Sequence, residues 1–338
     1  MEKLIMINKL MEISAEHLNE RKKDALFIAR MELAAQGQFP RFLLISPITR
    51  SGQDLQLLSM NQGDALHATR VPGFAILPPD LTPALFTGPA SFYSRFPSKK
   101  GVIVTFDIDE SLEVIRETLE NIKLHPELQS MPIIAFQVNY DNLRVKLIVH
   151  GKGRDYEYEN RILHWVRKPD PLDDSLLVVI CSDSRVRPPC TKRGVPMAIQ
   201  TLAGYISKYS QHDDETKQLN RFFEKWLTSS KDTKRILIVA HGNFEGSGPS
   251  CSAGTESLNP RATSSKSLRL MIEELERSAI EFESIPASSP EDRVKSLSKA
   301  TRANLLTYPA IVDSHDISQL EIDEVLMDTV TNALYLYD

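Results

Sequence analysis

The sequence is poor in several things, and each shortage excludes a class. It has no apolar run long enough to span a membrane. It has no excess of basic residues, since 40 Lys and Arg face 45 Asp and Glu for a net charge of −5, so nothing points to nucleic acid as a partner. Only three cysteines occur in 338 residues. An odd, small number in a long chain suits metal binding better than a disulfide framework. The first residues turn polar early, with Glu2 and Glu12, unlike a secretory signal, and the expected location is cytoplasmic. With 41% hydrophobic and 25% charged residues, the composition is that of a globular protein with room for two domains.

The most informative stretch is Leu176-Leu-Val-Val-Ile-Cys-Ser-Asp-Ser-Arg-Val-Arg187. Its apolar start reads as a buried strand, and that strand runs directly into Cys181, Asp183 and Arg185. A thiol, a carboxylate and a guanidinium are costly to bury unless paired or bound to metal. Extended backbone would put all three on one face. A second apolar strand, Arg235-Ile-Leu-Ile-Val-Ala-His241, ends in histidine, and Cys251 follows ten residues later.

Cys181-x-Asp183-x-Arg185 at a strand end, completed by a strand-end His and a further Cys, resembles the β-class carbonic anhydrases. The resemblance covers about residues 174–338. It implies that Cys181, His241 and Cys251 hold Zn2+, leaving one position for water, while Asp183 and Arg185 gate that position. The implied reaction is reversible hydration of carbon dioxide to bicarbonate by a zinc-bound hydroxide. Carbonyl sulfide or carbon disulfide hydrolysis, and a non-catalytic bicarbonate-sensing or partner-binding role, remain as alternatives.

Departures from the family pattern are clear. The family spacing is usually His-x-x-Cys, whereas nine residues, 242–250, separate His241 from Cys251 here; three are glycine. Carboxysomal shell and limiting-CO2-inducible relatives resemble this chain in that wider spacing. Cys190 is the rival third ligand, in a Pro-rich loop. Cys181 to Arg187 also fits Cys-x5-Arg, a phosphate-loop spacing, but Asp183 would repel phosphate and Pro188 opposes a following helix.

Pattern reading makes the fold α/β, with a largely parallel sheet flanked by helices in the carbonic-anhydrase-like half. It predicts a helix over 2–36, strands at 42–45, 101–106, 132–138 and 144–150 with a continuation over 156–166, an irregular 51–98, and a linker at 169–174. In the second half it predicts helices over 198–208, 215–227, 268–280 and 291–306 and a hairpin from 320. The expected division is an N-terminal helical segment 1–37, a degenerate metal-free domain 38–168 and a catalytic domain 174–338.

That degenerate domain is read as an eroded copy of the second. Leu43-Leu-Ile-Ser-Pro-Ile-Thr-Arg50 lies over residues 178–185, and residues 101–106 over 236–241, both at an offset of 135. Ser46, Ile48 and Phe106 then replace Cys181, Asp183 and His241, so the first copy would bind no zinc. It would serve as a dimer partner built into the chain, with homo-oligomers also allowed.

Overall fold

The computed structural model describes the chain except residues 1–8, 10, 14, 17, 21, 82, 151–155, 162–167, 231–232, 247, 284, 317–318 and 338. It is an α/β structure built on two sheets. The first contains β1 (Phe42–Pro47), β2 (Ala65–Arg70), β3 (Gly101–Asp107), β4 (Ile133–Asn139), β5 (Arg144–His150) and β6 (Tyr156–Arg161), in the order β2-β1-β3-β4-β5-β6. The second contains β7 (Leu172–Cys181), β8 (Val195–Thr201), β9 (Lys234–Gly242), β10 (Leu320–Asp328) and β11 (Leu334–Tyr335), in the order β8-β7-β9-β10-β11. In each sheet the first four strands are parallel and the fifth turns antiparallel. The order is therefore the same through five strands. Register matches as well: Phe42 lies opposite Gly101 and Leu177 opposite Ile236, both partners shifted by 135.

The central strands are apolar on both sides because both sides are covered. Val178 and Ile180 of β7 and Val239 of β9 share one buried cluster with Leu43, Ile45 and Val104 of the first sheet, while Val179 and Ile238 point into another. One apolar core thus draws on both halves. Helices cover the sheets: α1 (Ala25–Gln36), α2 (Ser51–Leu57), α3 (Thr87–Tyr93), α4 (Leu112–Leu124), α5 (Asp214–Thr228), α6 (Ser252–Leu258), α7 (Lys266–Ile280), α8 (Pro290–Leu305) and α9 (Pro309–Asp316). Among the described residues no helix is long and apolar enough to cross a membrane.

Three sequence expectations need correction. The helix expected over 198–208 is instead the edge strand β8, followed by a left-handed turn at Ala203 (φ 59°) and Gly204 (φ 69°). Met and Ala favour helix only weakly, and ladder pairing with β7 overrides them; Pro196 is tolerated because β8 is an edge. The irregular region 51–98 holds α2, β2 and α3; the low β-propensity of Ala65-Leu-His-Ala-Thr-Arg70 hides a strand that pairs with β1. The long first helix is broken, since Asp24 caps a new helix by accepting from the Leu26 amide at 2.9 Å. Parts of two expected elements, 1–8 and 162–167, lie outside the described residues.

Candidate metal centre

In the second sheet the chain leaves β7 to one side for β8 and returns on the other as β9. The carboxyl ends of β7 and β9 therefore form a crevice of the kind where open α/β sheets bind ligands. Cys181 is the last residue of β7, and His241 lies one residue from the end of β9. Between them and Cys251 runs the nine-residue loop 242–250, which two carboxylates tie down. Glu291, in the first turn of α8, accepts from the Asn243 amide at 2.9 Å and from the Ser250 hydroxyl, and Asp328 accepts from the Glu245 amide at 3.1 Å. Packing around Gly242 is close, since a Cβ there would lie 3.1 Å from Glu291 Cγ and 3.2 Å from Phe244 Cζ. The loop delivers Cys251 to the N-cap of α6, where its Sγ accepts from the Gly254 amide at 3.4 Å.

The sulfurs of Cys181 and Cys251 are 4.0 Å apart, and with one His241 ring nitrogen the three ligand atoms lie within 4.8 Å of one another. All three residues are buried. A zinc ion with Zn–S near 2.3 Å places two tetrahedral sulfurs about 3.8 Å apart, so the spacing fits that ion. The donor chemistry fits too. Thr329 donates its hydroxyl to the Gly242 carbonyl at 3.0 Å, so its oxygen, 2.9 Å from His241 Nδ1, is placed to accept. That fixes a proton on Nδ1 and leaves Nε2 as the nitrogen available to a metal; Nε2 is buried and has no hydrogen-bond partner. Burial pushes the Cys181 thiol well up, while the hydrogen bond from Cys181 and the neighbouring His241 pull Cys251 well down. Burial alone would lower His241, but the Cys251 sulfur and Asp183 outweigh it and raise it. The cluster thus favours a negative sulfur beside a cation.

Asp183 and Arg185 form a buried pair next to these ligands. Arg185 donates from its amide (2.9 Å) and Nε (3.0 Å) to Asp183 Oδ1, and from Nη2 (2.6 Å) to Oδ2. Burial would raise the Asp183 carboxyl, but the guanidinium holds it below its usual range. Asp183 Oδ2 is 3.9 Å from His241 Nε2. Arg185 also donates to the Ser250 carbonyl at 3.0 Å, joining the pair to the loop that carries Cys251.

Among the described residues Cys181, His241 and Cys251 are the one group of three such side chains close enough to share an ion. Cys190 is not among them; it is half-buried and lines a separate cavity of about 270 Å³ with Arg187, Pro188 and Pro189. In the first half Ser46 Oγ lies 3.0 Å from His67 Nε2, Ile48 is buried, and the Phe106 ring lies under the Arg70 guanidinium at 4.4 Å.

Sequence reasoning missed three contributors: Thr329, Glu291 and Gln38. Gln38 comes from the first half and donates to Asp183 Oδ2 at 2.5 Å and to Ser252 Oγ at 3.2 Å. No local pattern marks it, because its partner lies 145 positions away. More bonds cross between the halves here. The His67 amide donates to the Ser182 carbonyl (3.0 Å) and the Gly63 amide to that of Ser184 (2.7 Å), while the Ala198 amide donates to the Ile48 carbonyl (3.1 Å).

No family model matches the chain, and no curated protein matches it. Solved structures that resemble it include the β-carbonic anhydrase CcaA, at 20% identity and TM-score 0.36, over 50% of this chain and 81% of that one. Others are a tetrameric β-carbonic anhydrase of Sordaria macrospora (17%, TM-score 0.34, 49% and 80%) and the Coccomyxa β-carbonic anhydrase in complex with acetazolamide (17%, TM-score 0.34, 50% and 72%). The likeness spans half of this chain.

Proposed function

We propose that the chain holds one zinc ion through Cys181, His241 and Cys251 and catalyses the reversible hydration of carbon dioxide to bicarbonate. The observation that supports this most is the convergence of two thiols and an unpartnered imidazole Nε2 within 4.8 Å, beside a carboxylate held by its own arginine. Zinc supplied there would make water a nucleophile near neutral pH. The chain's residues do the rest. Thr329 fixes the His241 tautomer, Arg185 keeps Asp183 ionised and turned aside, and Asp183 Oδ2 presents an acceptor that orients the attacking oxygen. Gln38 also donates to Asp183 Oδ2 and helps hold the carboxylate in place.

The first half acts as a partner fused to the second. Shared strand order, shared register and reciprocal bonds between the β1 and β7 ends and the opposing β8 and β2 strands support a duplication with pseudo-twofold symmetry.

Metal analysis of the purified chain tests the reading. About one zinc per chain is expected, lost in Cys181→Ser, His241→Ala and Cys251→Ser and kept in Cys190→Ser, with carbon dioxide hydration following zinc content. Full zinc in His241→Ala would overturn the ligand set; zinc without hydration would overturn the activity alone.

A further inference from the structure

The first sheet has a crevice of its own. Its chain also leaves β1 to one side for β2 and returns as β3 on the other, and a cavity of about 620 Å³ opens beyond the ends of those strands. This volume is in the range of small-molecule sites. Thr49, Arg50, Asp107 and Asp109 to Ser111 line it from the first half, and α5 closes it from the second.

Its walls carry three chemistries. The apolar part is Pro72, Phe74, Leu172 and Met197 with the parallel rings of Phe222 and Trp226, 6.5 Å apart at 2°. Trp226 already donates its Nε1–H to the Asp174 carbonyl at 2.7 Å, so it offers the cavity only ring surface. The cationic part is Arg221 and Lys225, one turn apart on α5. Arg221 lies 5.9 Å from the Phe74 ring centre, and among the described residues neither cation has an ion-pair partner. The acceptor part is acidic, but three of its four carboxylates are engaged: Asp107 by Arg50 at 2.8 Å, Glu110 by Arg70, and Asp174 by Lys234 at 3.7 Å. Asp109 is left, exposed, in the turn between β3 and α4.

We infer that this cavity binds a nucleoside phosphate: a flat base against Phe74 and its apolar neighbours, the phosphate on Arg221 and Lys225, and sugar hydroxyls donating to Asp109. A simple anion would leave the apolar wall unused, and an uncharged ring would leave the cations unused. The site is separate from the metal centre and does not depend on the reaction proposed there.

Isothermal titration of the zinc-loaded full chain tests it with adenosine monophosphate, adenosine and inorganic phosphate. The monophosphate is expected to bind at least tenfold tighter than either fragment. Arg221→Glu/Lys225→Glu should cost at least tenfold for the monophosphate and little for adenosine, and Phe74→Ala should weaken both nucleosides but not phosphate. The two cations are exposed, so their reversal leaves the core intact; circular dichroism and zinc content serve as checks. No binding by the monophosphate, equal binding by adenosine or by phosphate, or indifference to the charge reversal would each overturn the inference.

Discussion

Removing the Arg185 guanidinium is the sharpest test of how the site stays open. Arg185 gives Asp183 three hydrogen bonds, and both residues are almost wholly buried. Arg185→Ala keeps the amide bond and loses both side-chain bonds, leaving a buried carboxylate with no countercharge and only the amide and Gln38 as donors, at a cost of roughly 3–5 kcal/mol. In metal-free protein that loss should appear in full as a lower urea midpoint. In zinc-loaded protein the carboxylate has an escape. Its Oδ2 is 3.9 Å from His241 Nε2, about 0.5 Å more than the N–O edge of a zinc tetrahedron, so a small rotation would bring Asp183 to coordinating distance. The zinc-loaded variant should therefore lose less stability than the metal-free one, keep its metal, and lose nearly all carbon dioxide hydration. X-ray absorption should show a carboxylate oxygen in the fourth position. Asp183→Ala should be equally inactive but show a water oxygen. Near-native hydration by Arg185→Ala, or equal destabilisation with and without zinc, would refute the gate and leave a structural ion pair.

Three further outcomes follow from particular contacts. Thr329→Val removes the acceptor opposite His241 Nδ1 and should weaken zinc about 10–100-fold in chelator competition; unchanged affinity would show the tautomer is set elsewhere. Burial lowers His67 from 6.5 to about 3. The unfolded chain then binds the proton more readily than the native one, so His67 contributes stability that is complete above pH 6.5 and lost as pH falls toward 3, up to about 5 kcal/mol. His67→Gln should flatten urea stability between pH 7 and 4 relative to wild type, and parallel curves would argue against a buried neutral imidazole. Gly204→Ala should cost about 1–2 kcal/mol, because φ is 69° and the new Cβ would sit 3.3 Å from the Cys181 amide nitrogen; a measured cost below 0.5 kcal/mol would show that this turn relaxes freely.

The legible parts of this chain are those encoded locally. Cys181, Asp183 and Arg185 share one strand end, and His241 closes another apolar run, so residue type and spacing suffice to find them. The offset of 135 is readable for the same reason, since β1, β3, β7 and β9 each contain a short apolar run. What the sequence hid is set by partners far along the chain. β8 is a strand because β7 lies beside it, although its Met and Ala suit a helix. Gln38 meets Asp183 only after both halves have packed. Thr329 follows the end of β10 and reaches His241 because β10 runs parallel beside β9, with Met327 opposite His241.

The halves differ most where the metal would sit, and the difference explains why only one of them can hold it. Cys181 and His241 project from β7 and β9 into a space that Cys251 completes from a long, braced loop. At the matching position in the first half, Ser46 faces His67, and Thr105 bonds Asp54, whose other oxygen takes the Tyr140 hydroxyl. Burial holds the Asp54 carboxyl up at about 6 despite those donors. In place of two thiols and an open imidazole, this half has a closed network that consumes its own donors and acceptors. Placing Cys at 46 and His at 106 would not restore a site, because β3 passes into α4 through residues 108–111 alone, with no counterpart to the long loop that presents Cys251. Backbone bonds nevertheless run between the halves in both directions. Gly63 and His67 hold the Ser182–Ser184 backbone, and Ile48 holds Ala198. The first half therefore shapes the strand end that carries Asp183 and Arg185, and substitutions at Gly63 or Gln38 bear on the candidate metal centre as much as those beside its proposed ligands do.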